Sequence, residues 1–98
     1  MDYQVILSPR AIQDLENIVR YIAFDNPARA ASFGQELVDK TKLLRQFPEM
    51  GRMVPEMPAV GARELIHRSY RIVYRVNHEQ KTVAVARFWH GAQESLEL

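Results

Sequence analysis

Residues 63–90, RELIHRSYRIVYRVNHEQKTVAVARFWH, hold three strand-length runs in close succession, and their reading decides the fold. Strands are expected over 63–68, 70–77 and 81–90, and the turn Asn77-His78-Glu79-Gln80 makes a hairpin of the last two. Consecutive placement predicts antiparallel pairing. The segment carries six Arg or Lys and two acidic residues, whereas the whole 98-residue chain has 13 basic and 12 acidic residues and a formal charge of +1. Positive charge is therefore concentrated in the sheet-forming part. That asymmetry points to an anionic partner surface, either nucleic acid or an acidic protein.

Working outward, YQVIL at 3–7 reads as a further strand. Ser8-Pro9 then starts a helix: Ser8 can cap free N–H groups, and Pro9 fits the first helical position, where no donor is needed. Ile12, Leu15, Val19 and Ile22 recur at helical spacing, widened by Ala11, Ile18 and Ala23, and the helix is expected to end near Phe24-Asp25. Asn26-Pro27 repeats the start signal. Ala30, Phe33, Leu37, Leu44 and Phe47 supply the buried side of a second helix, which Pro48 stops. So short a joint predicts a helical hairpin. Ala28, Ala30, Ala31 and Gly34 permit close approach, although a helical glycine costs about 1 kcal/mol relative to alanine.

Between 48 and 62 the residues Pro48, Gly51, Pro55, Pro58 and Gly61 mark a loop with several fixed turns. Its Met50, Met53, Val54, Met57 and Val60 close the edge of the core or line a binding groove. The expected class is α+β: an N-terminal strand, an α-helical hairpin and a three-stranded antiparallel sheet segment, in one domain over 1–98. The absence of cysteine excludes disulfides, thiol nucleophiles and cysteine zinc sites. The acidic start MDYQVILSP does not resemble a signal peptide, and no apolar run approaches the roughly 20 residues that span a bilayer. A soluble cytoplasmic protein without membrane association is expected. Phosphate-loop, dinucleotide and zinc motifs are absent, so neither cofactor nor metal is expected. A helix-turn-helix reading is disfavoured, because the first half of the second helix is largely apolar and carries little basic charge.

Strict alternation places Tyr70, Ile72, Tyr74 and Val76 on one face, with Arg71, Val73 and Arg75 on the other. In the last strand Ala84, Ala86, Phe88 and His90 alternate with Val83, Val85, Arg87 and Trp89. Arg71, Arg75 and Arg87 are therefore expected to share an open sheet face. Arginine forks suit carboxylate or phosphate, although the same groups could simply solubilise that face, with their stems over Val73 and Val85. Trp89 is a candidate to stack on a base or partner side chain, or to make a satellite core contact. His90 is a candidate at a strand end, and His67 and His78 form no metal spacing with it. Glu64 and Glu94 have no evident geometry as a catalytic pair.

Three stretches together, SPRAIQDLENIVRYIAFDNPARAASF (8–33), RELIHRSYRIVYRV (63–76) and VAVARFWHG (83–91), resemble the RelE/ParE superfamily of type II toxin–antitoxin toxins. The resemblance covers nearly the whole chain and is closest to the ParE-like, plasmid-stabilisation branch. It implies a cytoplasmic toxin held in a hetero-oligomer by a cognate antitoxin that masks its active surface. ParE-like toxins poison DNA gyrase, whereas RelE-like toxins cleave messenger RNA on the ribosome. The arginine of the RelE tyrosine-arginine motif falls on Arg71. The tail GAQESLEL lacks the late tyrosine and basic residue of that branch, while His90-Gly91 follows the ParE-like pattern. The resemblance thus implies gyrase inhibition, with Arg71, Arg75, Arg87, Trp89 and His90 as target-binding residues. The alternatives are an endoribonuclease using Arg71, Arg87 and His90, and a toxin fold without activity.

Overall fold

A computed structural model describes residues 2–92 and 96. Strand β1 (Gln4–Leu7) leads into helices α1 (Pro9–Ala23) and α2 (Pro27–Lys42), followed by strands β2 (Arg52–Met53), β3 (Arg63–His67), β4 (Tyr70–Asn77) and β5 (Thr82–His90). Both helix starts follow the sequence signals: Ser8 Oγ accepts from the Ala11 N–H and Asn26 Oδ1 from the Arg29 N–H, each just before a proline. The helices pack closely. A Cβ on Gly34 would lie 2.8 Å from Val19 Cγ2, so glycine lets the two backbones approach.

The strands form one mixed sheet in the order β1-β5-β4-β3-β2, antiparallel except for β1, which runs parallel to β5. The helical hairpin covers one face over a core of Ala11, Ile18, Phe33, Leu37, Ile72, Tyr74, Val83, Val85 and Phe88. Ile12 lies outside it: Ala11, Leu15, Ile18 and Ile22 make the inward row, and Ile12 sits one step round the helix and is exposed. The second helix also ends earlier than its apolar spacing suggests. The chain tightens into a 3-10 turn over Leu43–Arg45, Leu44 stays buried and the Arg45 carbonyl accepts from the Tyr3 N–H. Phe47 is carried outward and is exposed.

Strict alternation fails in β5. Val73 opposes Arg87 and Tyr74 opposes Val85, leaving Ala86 as a bulge residue. Val83 and Val85 consequently face the helices on one side of the bulge, and Phe88 does so on the other. The opposite sheet face is not fully open either. The segment 52–62 crosses it as a strap, burying Val54 and Ala62 with Val73, Trp89 and Leu96 in a second core, with Met57 packed against it. Met50, Met53 and Val60 remain exposed, so the strap's apolar residues divide between core closure and surface.

Gly51 enters the strap through a narrow gap. Its N–H donates to the buried Tyr74 hydroxyl at 2.9 Å, and an added Cβ would lie 2.6 Å from both that oxygen and the Glu64 carbonyl oxygen. The Glu64 contact is backbone and cannot swing aside. Gly51→Ala is expected to destabilise the fold by about 1–3 kcal/mol, the range for overpacking, read as a lower urea midpoint at unchanged slope. An unchanged midpoint would show that the strap is not held at this distance.

Candidate functional site

Among the described residues no strand lies beside the outer edge of β5 beyond Val85, because β1 pairs only as far as Leu7. The first residues of α1 take over its hydrogen bonding. The Ser8 N–H donates to Val85 O at 2.9 Å, and the Ser8 hydroxyl to Ala86 O at 3.0 Å. Nearly two turns further on, Asp14 Oδ2 accepts the Phe88 N–H at 3.0 Å. The same carboxylate grips Arg87 in a two-point contact, Nε to Oδ2 at 2.7 Å and Nη2 to Oδ1 at 3.0 Å. The guanidinium also lies 4.7 Å from the Trp89 ring centroid. Arg87 is thus buried and engaged with the helical layer, and it does not share an open face with Arg71 and Arg75. The bulge at Ala86 and the uncovered edge are the reason.

A cleft of about 530 Å³ opens here, with Asp14, Asn17 and Tyr21 of α1 facing Tyr70, Arg87 and His90. His90 Nδ1 accepts from the Ala92 N–H at 3.0 Å, which places the proton of its neutral form on Nε2. Its ring stands edge-on to Tyr70 at 4.9 Å, and burial pushes the Tyr70 phenol up. His90 also borders a second depression, about 440 Å³, with Arg68, Ser69 and Arg71 at the β3–β4 turn. At the mouth of the first cleft Tyr21 is 80% exposed, and Phe24, on the next turn of the chain, is 92% exposed.

On the other sheet face Arg71 is committed to carboxylates. Its Nε donates to Glu64 Oε1 at 2.6 Å, while Nη1 and Nη2 donate to the two oxygens of Glu56 at 2.6 and 2.8 Å. Glu64 is fully buried and also accepts from Arg52 Nε at 2.7 Å. The Arg71 fork holds the Glu56 carboxyl at about 2, well below its ordinary value, and the two glutamates push the arginine above its own. Arg75 differs. It lies exposed opposite Ala84 on the uncovered half of the face and forms no ion pair among the described residues. Trp89 is 7% exposed inside the second core, so of its two candidate roles the core contact is the one present.

Asp14 and Glu56 are absent from the candidates the sequence offers, and Glu64 enters there only as half of a catalytic pair with Glu94. Asp14 had a signal: it falls between Ala11 and Leu15, on the buried stripe, where a carboxylate demands a partner. Glu64 sits on a strand face that only the strap makes dry, and Glu94 lies outside the described residues. The three histidines are dispersed. His67 meets Glu36, His78 meets Tyr3 and Glu49, and His90 meets Tyr70. Glu36 gathers Arg29, His67 and Arg68, which hold its carboxyl at about 2, and so ties α2 to the β3–β4 turn below Tyr70.

Residues 5–95 match the family model described as the ParE toxin of the type II toxin–antitoxin system parDE. Solved structures agree at the level of fold. The chromosomal ParDE system of P. aeruginosa has a TM-score of 0.74 at 23% identity, covering 90% of this chain and 95% of that one. The RelBE2 toxin–antitoxin complex of Mycobacterium tuberculosis gives 0.67 at 24%, covering 92% and 99%. A mutant E. coli RelE toxin in the free state gives 0.68 at 20%, covering 94% and 86%. A comparison with curated protein sequences finds no significant match.

Two measurements check the ion pairs. Asp14→Ala removes the two-point contact on buried Arg87 and the acceptor of the Phe88 N–H, and is expected to cost about 3 kcal/mol in urea unfolding; a loss below about 1 kcal/mol would contradict the edge role. For Glu36, the folded value of about 2 lies below the ordinary 4.5, so its contribution is present above pH 4.5 and is lost as pH falls towards 2. The gap in melting temperature between the native chain and Glu36→Gln should therefore close on acidification through that window. A gap unchanged at pH 2 would refute the ion-pair assignment.

Proposed function

This chain belongs to the ParE toxin family of type II toxin–antitoxin systems, and from that membership we propose that it arrests growth by inhibiting DNA gyrase. The match to the ParE model over residues 5–95 carries this reading. The disposition of the cations supports it. Arg71 is held between Glu56 and Glu64, and Arg87 is held by Asp14, so both forks already carry carboxylate ligands rather than standing ready for a scissile phosphate. The contact surface is the uncovered half of the sheet, with Arg75 beside exposed Ile6 and Ala84, together with the end of β5 at His90-Gly91. The helical hairpin supports the sheet. In the cell a cognate antitoxin covers the toxin, forming a hetero-oligomer in the cytoplasm; the solved relatives include such toxin–antitoxin complexes. Among the described residues no helix is long and apolar enough to cross a membrane.

Ribosome-dependent messenger RNA cleavage is the second reading. The observation favouring it is His90 beside Tyr70 at an open cleft, with Nδ1 accepting from the Ala92 N–H. Induced expression without antitoxin, followed by pulse-labelling of DNA and protein synthesis, separates the two. DNA synthesis is expected to stop first while translation continues; immediate translation arrest would overturn the gyrase reading. Arg75→Glu is expected to relieve the growth arrest while shifting stability by no more than about 0.5 kcal/mol, as is usual for exposed sites. His90→Ala, at the end of that contact surface, should weaken the arrest only in part, and its complete abolition would favour RNA cleavage.

A further inference from the structure

Between Val54 and Ala62 the strap is fastened to the sheet by one side-chain ion pair among the described residues, Glu56 to Arg71. Its other polar bonds are internal: Val54 N–H to Ala62 O, Met57 N–H to Val54 O and Val60 N–H to Met57 O. The two carboxylates on Arg71 are not equivalent. Glu64 is fully buried, binds Nε and is shared with Arg52, so it stays paired whatever happens outside. Glu56 is half exposed, meets only the outer fork of Arg71, and can leave without stranding a buried charge.

We propose that Glu56 is a built-in plug of a carboxylate-binding site on Arg71, displaced when a protein partner presents an acidic side chain flanked by apolar ones. The seat already holds a carboxylate in two-point geometry, one oxygen per Nη. Its surroundings combine apolar groups with a second cation: exposed Ile66 pairs across the strands with Arg71, Met57 follows Glu56 on the strap, and Arg52 shares Glu64. Glu64 lies between the fork and Arg52, so without Glu56 the cluster carries one net positive charge, which suits a single carboxylate better than a polyanionic nucleic-acid backbone. Displacement frees the Val54–Ala62 stretch of the strap from its one side-chain ion pair to the sheet among the described residues, leaving Arg52–Glu64 at the strap's start, and bares Trp89, the cross-strand partner of Arg71. The toxin fold thus screens its own arginine until a partner competes for it. This inference rests on the reading that this chain meets a protein target, but its test uses the purified chain alone and needs no gyrase.

Trp89 is the chain's single tryptophan, so its fluorescence reports the strap directly. Acrylamide quenching is compared between the native chain and Glu56→Gln, with circular dichroism confirming the fold. Quenching is expected to rise severalfold in the variant. A capped peptide copying residues 53–58, MVPEMP, is then titrated against both proteins. It is expected to bind the variant about tenfold more tightly than the native chain, the scale of one charge-assisted contact, while its glutamine version binds neither. Equal quenching, or equal peptide affinity for both proteins, would overturn the plug. A short oligoribonucleotide that outcompetes the peptide would overturn the protein-carboxylate assignment. Should Glu56→Gln not fold, Glu56→Ala also removes the carboxylate and supplies the same comparison.

Discussion

The Asp14 carboxylate joins the helical layer to the sheet where the sheet would otherwise fail. β5 continues past the end of β1, and a strand edge facing the underside of a helix cannot be satisfied by bulk water. Ser8 supplies a donor to Ala86 O, and Asp14 supplies an acceptor to the Phe88 N–H. With both in place the bulge at Ala86 is tolerated, and the bulge sets every side chain beyond it. Phe88 returns to the main core, Trp89 goes under the strap, and Arg87 turns towards α1. His90 reaches the cleft because that register is fixed four residues earlier.

The arginines of this sheet show how charge composition and charge availability part company. Each of the two most enclosed guanidiniums meets a carboxylate at charge-assisted distance, so the basic segment is locally close to neutral. Such pairs are weak contributors to net stability when compared with apolar replacements, but costly to break from one side. They therefore act as positional constraints. Arg87 locks the register of β5 against α1, and Arg71 locks the strap against the sheet. The charge left for long-range steering comes from exposed residues such as Arg75 and Arg68. Part of the cationic surface is thereby already covered by the chain itself.

Much of the architecture was legible because local signals and tertiary needs agree. Ser8-Pro9 and Asn26-Pro27 start both helices, Gly34 marks the close helix contact, and three runs after residue 62 become β3, β4 and β5. The parallel seat of β1 beside β5 lies beyond periodicity, since no local pattern states which edge a first strand will join. The bulge was equally hidden: VAVARFWH alternates well enough to suggest one unbroken register, and the expected shared face of Arg71, Arg75 and Arg87 followed from it. Trp89 and Glu64 became buried through a strap whose Pro and Gly content reads only as loop. Of the candidate residues, His90 and Arg87 do line one cleft, Arg71 and Arg75 share the far face, and Asp14 was the missing organiser.

The gyrase assignment is tested most directly with purified components. The toxin, separated from antitoxin, is added to gyrase, relaxed plasmid and ATP, and supercoiling is followed on gels beside a ribosome-containing translation reaction. The account predicts that supercoiling falls in proportion to toxin while translated messenger RNA stays whole. Full gyrase activity together with cut messenger RNA would contradict it.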